Sequence, residues 1–303
     1  MTSTPDILVV GEALVDVVRR ADGSVDEKPG GSPANVAITL GRLGRAPRLL
    51  THLGDDERGR GVRAWLEASG VAVEGAVASR TSTAAAALDA TGAASYEFAI
   101  DWSVDTTDAG EPDALHVGSI ATVLAPGADA VSALVDRLRA RALVTFDPNI
   151  RPSLVDDADD VRRRVASLIA RADVVKASDE DAAWLHPGEP IDVVARRWTA
   201  AGAVLVVITA GSDGALAARG DRVTRVPSPR VDVVDTVGAG DTFMGALVDG
   251  LIAAGAAGTS AREAIAALSE PELTAILRRS ADAAAVTVSR PGADPPTRAE
   301  LDG

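Results

Sequence analysis

Residues 234–247 read VDTVGAGDTFMGAL, a glycine-rich turn that runs directly into an apolar, helix-compatible segment. Glycines allow backbone N–H groups to crowd together at a helix start, where unpaired amides and the helix dipole favour an anion. Asp241 closes the turn, and its carboxylate would repel a bound phosphate unless it had a task of its own. Accepting the proton of a hydroxyl that attacks a phosphoryl group is such a task. The alternative is a tight turn in which the aspartate only caps a helix.

The rest of the chain alternates short β-branched runs with amphipathic runs rich in Ala, Arg and Leu. Predicted strands are 7–10, 48–53, 114–117, 143–146, 174–176 and 204–209. Predicted helices are 35–43, 58–69, 127–141, 161–172 and 191–201, with a helix-rich tail at 261–288 and a turn-rich loop at 290–297. Strand–helix alternation predicts one α/β domain over 1–303, with a doubly wound, mostly parallel sheet flanked by helices. Functional loops should gather at the carboxyl ends of its strands.

Two segments break this alternation and predict β-hairpins. Residues 15–25 indicate strand–turn–strand with Asp22-Gly23 at the tip, and strands at 83–90 and 94–100 flank a turn at Thr91-Gly92. Insertions at about 12–29 and 79–101 could therefore pair into a small β-lid that excludes water during group transfer. The alternative is a pair of surface hairpins with no part in catalysis.

A second polar constellation lies near the beginning of the chain. An acid, Asp16, follows the first strand, and GGSPANVA at residues 30–37 opens a helix. The pair Gly30-Gly31 allows a polyol to approach the backbone closely. Asp16 offers a hydrogen-bond acceptor and Asn35 both a donor and an acceptor, which suits vicinal hydroxyls. The alternative is an ordinary helix-initiating turn.

Composition excludes several classes of function. The net charge of −14 argues against nucleic acid as the main partner, and any nucleotide site must supply its own positive potential. The chain has no cysteine, which excludes disulfides, zinc–thiolate sites and thiol nucleophiles. Three scattered histidines do not favour a histidine metal site, and His116 is expected to be an interior residue. With no signal segment and no apolar run near bilayer length, we expect a cytoplasmic protein without a membrane partner.

Taken together, these motifs identify a family. The opening Gly-Glu-x-x-x-Asp, the Gly-Gly-Ser-Pro-Ala-Asn segment and Asp-Thr-Val-Gly-Ala-Gly-Asp-Thr-Phe resemble, in type, order and spacing, the ribokinase-like (PfkB) carbohydrate kinases. GGSPANVA, FDPNIRP at 146–152 and the closing Pro-Pro-Thr resemble the bacterial fructokinases in particular. The similarity runs from Gly11 to Thr297, and there is no GxxxxGK[ST] sequence, so phosphate binding must occur without a P-loop lysine.

The resemblance implies roles at the sugar and phosphoryl positions. Asp241 would be the base, and the amides of Gly238, Ala239 and Gly240 would stabilise the transferred phosphoryl group. The sugar would be held by Asp16, Gly30, Gly31, Asn35 and Asp241. Arg151 would reach the substrate or the transferred phosphate, although a salt bridge with nearby acids is an alternative.

The resemblance also implies sites for ATP, Mg²⁺ and a monovalent cation. The nucleotide loop would contain Thr209, Gly211, Asp213 and Gly214, although ordinary turn composition explains it equally. Ser178 and Asp181 stand where the family usually has Asn and Glu near Mg²⁺, and Asp181 is the candidate ligand. Lys176 either faces an ATP phosphate or is a solvated strand end. A K⁺ site would use Asp235 and the segments that contain Val237, Arg290 and Gly292, although Pro296 stands where some relatives offer a hydroxyl.

The leading hypothesis is an ATP-dependent kinase that phosphorylates D-fructose at its primary hydroxyl, giving fructose 6-phosphate. Within the same class, 2-keto-3-deoxygluconate, ribose or a nucleoside remain alternatives. The segment 116–119 lacks the acid that ribokinases tend to carry, and Tyr96, Phe98 and Trp102 are the aromatic residues in the predicted lid. A non-catalytic sugar-binding regulator is the alternative from another class, and the missing Gly-x-Gly-x-x-Gly after the first strand argues against a nicotinamide oxidoreductase. Exposed lid edges favour a homodimer.

Overall fold

The computed structural model describes residues 4–20, 24–88 and 94–303, and every count below refers to these residues. They form fifteen strands and ten α-helices. The strands are β1 (Ile7–Val10), β2 (Leu14–Arg19), β3 (Val25–Gly30), β4 (Arg48–Leu50), β5 (Leu53–Gly54), β6 (Ala72–Glu74), β7 (Val77–Ala78), β8 (Thr83–Leu88), β9 (Ala94–Ala99), β10 (Ala114–Gly118), β11 (Leu143–Asp147), β12 (Val174–Ser178), β13 (Leu205–Thr209), β14 (Ala215–Arg219) and β15 (Arg222–Val226). The helices are α1 (Ser32–Arg42), α2 (Glu57–Glu67), α3 (Gly127–Leu138), α4 (Ala158–Ile169), α5 (Asp179–Leu185), α6 (Ile191–Ala201), α7 (Ala239–Ala253), α8 (Ala261–Ala267), α9 (Glu270–Val288) and α10 (Arg298–Asp302).

The main sheet has nine strands within the described ranges, in the order β15-β14-β13-β12-β11-β10-β1-β4-β6. Pairing is parallel from β13 through β6, and only β14 and β15 add antiparallel partners at one edge. The predicted doubly wound, mostly parallel α/β fold is therefore confirmed. The antiparallel edge strands were not predicted, because a polar turn separates two runs too short to stand out from the loop around them.

Alternate side chains of the central strands enter two separate cores. On one face, Val9 and Leu143 pack with the apolar sides of α1, α7 and α9. On the other face, Leu8 and Phe146 pack with α3, α4 and α6. Parallel strands covered by helices on both faces consist of continuous apolar runs in the sequence. These strands were recognisable in the sequence for that reason.

The two predicted hairpins meet in a second sheet, in the order β3-β2-β8-β9. Each hairpin is antiparallel, and β2 pairs with β8 in parallel, which joins the two into one small β-lid. The predicted bounds 15–25 were wrong at their end, because β3 begins at Val25 and continues to Gly30. The predicted turns at Asp22-Gly23 and Thr91-Gly92 lie outside the described residues.

Two residues singled out in the sequence, Trp102 and His116, lie in the core. Trp102 was predicted to belong to the lid, but it follows the last lid strand, is 2% exposed, packs in the core beside α3, and donates from Nε1 to the Ala121 carbonyl at 3.1 Å. His116 is buried as expected, and its Nδ1 lies 3.0 Å from Thr145 Oγ1. Burial, with a smaller effect of Lys176, lowers the pKa of His116 to about 3. This histidine is therefore a neutral core residue.

Within the described part of the chain, no helix alone has the length and hydropathy to cross a membrane, and one sharply bent helix pair passes the same test by length and composition only.

Candidate active site

A cavity of about 1900 Å³ lies between the small β-lid and the carboxyl ends of the main-sheet strands. Asp16 and Phe98 line it from the lid, and Ser178 and Thr209 line it from the ends of β12 and β13. The start of α7 forms the wall between these two parts. The carboxyl ends of parallel strands are where α/β proteins bind ligands, so the predicted location agrees with the observed cavity.

Asp241 lies in the first turn of α7, just after the glycine-rich turn. Gly238 caps the helix with a φ of 77°, and a Cβ there would lie 2.5 Å from the Cβ of Ala293. The amide of Thr242 is bonded to the Gly238 carbonyl at 2.8 Å, whereas the amide of Ala239 makes only a long 3.4 Å bond to the Thr236 carbonyl. The first-turn amides thus stand at the open end of the helix, where they suit an anion.

Three side chains from other segments converge on the carboxylate of Asp241, which is 7% exposed. Ser32 Oγ donates to Oδ1 at 2.7 Å, and Asn35 Nδ2 donates to Oδ2 at 2.8 Å. Asn149 Nδ2 lies 3.5 Å from Oδ1. These donors fix the orientation of the carboxylate, which a proton acceptor requires.

The predicted sugar-binding residues lie together on the lid side of the cavity. Asp16 is on β2, and a Cβ on Gly30 would lie 2.1 Å from Asp16 Oδ2, so only glycine leaves room for this carboxylate. Gly31 has a φ of 109° and lies against the backbone of Glu12. Burial raises the pKa of Asp16 to about 6; the positive charge of Arg151 lowers it and the negative charge of Asp241 raises it.

Glu12 is a buried acid beside this pocket to which the sequence analysis assigned no role. It is 4% exposed, and its Oε2 accepts a 3.3 Å bond from the Ala121 amide. Burial raises the pKa of Glu12 to about 7, although hydrogen bonds from Ser119 and the Ala121 amide lower it. Its position two residues beyond the end of β1 is the signal that could have marked it.

Arg151 follows β11 and borders the cavity. Its Nη1 donates to Asn149 Oδ1 at 2.5 Å and, at 3.3 Å each, to the carbonyls of Asn149 and Ile150. These contacts are all to the chain segment next to Arg151 itself, and no ion pair of Arg151 with an acid occurs among the described residues.

Lys176 is not a solvated strand end, because it is only 3% exposed. Its Nζ donates to Asp147 Oδ2 at 2.8 Å, and both side chains are buried on neighbouring strands. Asp147 itself was not predicted as a site residue, although it ends β11 at the carboxyl edge.

Asp181 already accepts three hydrogen bonds. Oδ1 accepts from the Ile150 amide at 2.8 Å, and Oδ2 accepts from the amide and hydroxyl of Ser178 at 3.0 and 2.7 Å. These two residues form the capping box of α5, a structural role that competes with direct metal binding. No cluster of three or more His, Asp or Glu suited to a metal ion occurs in the chain as far as the structure describes it.

The predicted nucleotide loop follows β13 and borders the far end of the cavity. Thr209 Oγ1 donates to the Ala177 carbonyl at 3.3 Å. Gly211 and Gly214 have φ values of 50° and 88°, and Asp213 lies between them in a short 3₁₀ turn. A Cβ on Gly214 would lie 2.1 Å from the Val226 carbonyl, so this glycine allows the loop to pack against β15.

The segments predicted to bind K⁺ meet beside the start of α7. Asp235 Oδ1 accepts from the Val237 amide at 3.0 Å, and Oδ2 accepts from the Gly292 amide at 2.8 Å. Arg290 belongs to the same loop, where its side chain pairs with Asp294 and Glu300. The structure therefore brings these residues into one neighbourhood.

The predicted residues thus form two sets around the cavity. Those predicted to bind the sugar lie under the lid, and those predicted to bind the nucleotide lie beyond α7. Residues that the prediction missed are Glu12, Ser32, Asp147 and Asn149. Ser32 lies inside the quoted GGSPAN motif, and the others end a strand or lie two residues beyond its end, so position at the carboxyl edge was the available signal.

Comparison with known proteins connects this geometry to a family. The pfkB family carbohydrate kinase model matches residues 4–300. The fructokinase of Rhizobium leguminosarum bv. trifolii is 40% identical over 251 residues, which cover 78% of this chain and 77% of the relative.

Two solved structures are similar over nearly the whole chain. The ATP-bound fructokinase of Xylella fastidiosa matches with a TM-score of 0.88 at 27% identity, covering 99% of this chain and 97% of the other. A double-mutant fructokinase of Vibrio cholerae O395, with fructose, ADP and a potassium ion bound, matches with a TM-score of 0.82 at 26% identity, covering 99% and 98%.

Proposed function

Because the chain belongs to the pfkB family of carbohydrate kinases, we propose that it transfers the γ-phosphoryl group of ATP to the 6-hydroxyl of D-fructose. The observation that carries the proposal is the Asp241 carboxylate, held by Ser32 and Asn35 at the open amide end of α7. This places a proton acceptor and an anion hole side by side, as an alcohol-to-phosphate transfer requires.

The reaction follows from that arrangement. The 6-hydroxyl oxygen attacks the γ-phosphorus while its proton moves to Asp241, and the new O–P bond forms. The bond from the γ-phosphorus to the bridging oxygen breaks, and ADP leaves with that electron pair. The first-turn amides of α7 stabilise the negative charge on the migrating group, a role that a fixed dipole fills without reorganisation.

The sugar pocket has the chemistry of a polyol site. Asp16 accepts hydrogen bonds from vicinal hydroxyls, Asn35 offers both a donor and an acceptor, and Gly30 and Gly31 allow the ring to approach the backbone. Arg151 supplies a positive charge for the sugar or the transferred phosphate. Fructose is favoured among sugars because the compared relatives are fructokinases.

The nucleotide occupies the other end of the cavity, along the loop that follows β13. Sites for the Mg²⁺ that accompanies ATP commonly combine substrate phosphates, one or two carboxylates and several waters. Asp181 and Ser178, whose polar atoms border the cavity, would hold that hydrated ion. Mg²⁺ neutralises phosphate charge when bound.

We further propose a K⁺ site at Asp235 and the backbone of Val237, Arg290 and Gly292. The carboxylate of Asp235 lies beside the anion hole, where a bound cation would relieve its repulsion of phosphate. The potassium ion bound to the Vibrio cholerae fructokinase supports this assignment.

We also propose a homodimer that pairs lid edges, and a cytoplasmic location, where ATP is available. The outer strands of the lid are β3 and β9, and the outer strands of a sheet are ready partners for a second copy. Light scattering of the purified chain at several concentrations tests the dimer, and a monomer at all concentrations would refute it.

The experiment for the function is a panel of sugars assayed for coupled ADP formation, with and without K⁺. Fructose should give the highest kcat/KM, ahead of ribose, 2-keto-3-deoxygluconate and adenosine. A preference for one of those three would overturn the fructose assignment but not the kinase class. No ADP formation with any sugar would instead favour a binding protein without turnover.

A further inference from the structure

The ion pair between Lys176 and Asp147 is buried within the floor of the cavity. Nζ and Oδ2 lie 2.8 Å apart, and the two side chains are 4% and 0% exposed. Removing an ammonium and a carboxylate from water costs several kcal/mol for each ion, and apolar residues of similar volume are often at least as stabilising. Stability alone therefore does not account for this pair.

The ammonium also lies against the first turn of α7. A Cβ on Gly240 would be 2.9 Å from Nζ, so the glycine at this position leaves room for the lysine as well as exposing its amide. A cation at the amino end of a helix opposes the helix dipole and is unfavourable for folding. The amide groups at the start of α7 and the ammonium of Lys176 therefore both contribute positive potential at the first turn of this helix.

The charges around Lys176 come from three elements besides its own strand. Burial alone would lower the pKa of Lys176, but the carboxylates of Asp147, Asp241 and Asp181 together raise it above its ordinary value. The remaining titratable neighbour, His116, is neutral. The ammonium therefore lies among three carboxylates, one of which is that of Asp241.

We propose that Lys176 is a positioning residue for phosphoryl transfer: held by Asp147 against the first turn of α7, it adds positive potential to the anion hole of that helix. The inference rests on the proposed function of Asp241. It also accounts for a kinase that lacks a P-loop lysine, because a buried ammonium behind the helix start supplies part of the missing positive charge.

The test compares Lys176→Met with the wild type, using whichever sugar the wild type phosphorylates best. We expect kcat to fall about 100-fold with KM values for sugar and ATP within about threefold, because the charge acts on the reacting groups and not on the bound ground state.

Two further variants separate this role from a structural one. Lys176→Met combined with Asp147→Asn removes both charges, so its Tm should recover toward the wild-type value while kcat stays low. Arg262→Met is the matched control: Arg262 pairs with the buried Asp173 immediately before the same strand, β12, far from the cavity. It should lower Tm and leave kcat unchanged.

Recovery of kcat together with Tm in the double variant would refute the proposal, as would a Lys176→Met enzyme whose kcat matches that of the wild type. Failure of the proposed function is a different result. It would appear as a wild type without sugar-dependent ADP formation, or as an Asp241→Asn variant with full turnover.

Discussion

Asn35 Nδ2 in the first turn of α1 donates a 2.8 Å hydrogen bond to Asp241 Oδ2 in the first turn of α7, although 206 positions separate the two residues. The motif proposed to bind sugar and the motif proposed to transfer phosphate are therefore joined by a direct side-chain contact. Under the proposed function, sugar hydroxyls bound at Asn35 would help to orient Asp241, the proposed base.

Replacing Asp241 with Asn removes the proton acceptor and keeps the size of the side chain. We expect kcat to fall by about 10²- to 10⁴-fold, the usual contribution of a general base, with Tm close to the wild-type value because Ser32 retains an acceptor oxygen. Coupled ADP formation and a thermal melt are the measurements. Turnover within tenfold of the wild type would contradict the assignment of the base.

Gly30→Ala tests the space reserved for Asp16. The new Cβ would lie 2.1 Å from Asp16 Oδ2, so the carboxylate must move. The KM for fructose should therefore rise at least tenfold, a loss of binding free energy comparable to that of one hydrogen bond to a charged group. Gly61→Ala is the matched control. Nothing lies within 4 Å of its Cβ on helix α2, so this variant should keep its KM and gain about 0.5–1 kcal/mol of stability.

The affinity for sugar should depend on pH through Asp16. Burial raises the pKa of Asp16 to about 6, so below that pH the carboxyl is protonated and is a weaker acceptor for the sugar hydroxyls. The KM for fructose should therefore increase as pH falls through about 6. In Asp16→Asn, KM should be high at every pH, and a persistent pH dependence there would assign the effect to another group.

Stability should depend on pH through Glu12. Burial raises the pKa of Glu12 from 4.5 to about 7, so between these values the folded protein holds a proton that the unfolded chain has lost. Its contribution to the free energy of unfolding therefore decreases as pH rises through this window and is constant above it. The free energy of unfolding of Glu12→Gln minus that of the wild type, measured by urea unfolding, should increase by on the order of 3 kcal/mol from pH 4.5 to pH 8. A constant difference between the two proteins would exclude this effect.

Asp235→Ala tests the cation site. Without the carboxylate, K⁺ loses its charged ligand, and the backbone amides of Val237 and Gly292 lose their acceptor. The ratio of kcat measured with K⁺ to that measured with a larger organic cation should fall to near one. Equal stimulation of the variant and the wild type by K⁺ would place the cation elsewhere.

Much of the architecture could be read from local pattern. Strand and helix bounds were predicted to within a few residues for β1, β10 and α6, because apolar runs and 3.6-residue periodicity arise from neighbours in the chain. The hairpin at 15–25 was misplaced at its second strand, since the charged residues of β3 carry little apolar alternation and depend on β2 for their pairing.

The sequence by itself determined the fold class and the glycine-rich start of α7, because backbone freedom and helix signals are encoded over a few adjacent residues. Only the tertiary structure decided that Ser32 and Asn149 contact Asp241, that Lys176 is buried against Asp147, and that Trp102 belongs to the core. These contacts join residues from about 20 to more than 200 positions apart. Their existence depends on how the strands are ordered in the sheet, which short-range pattern does not specify.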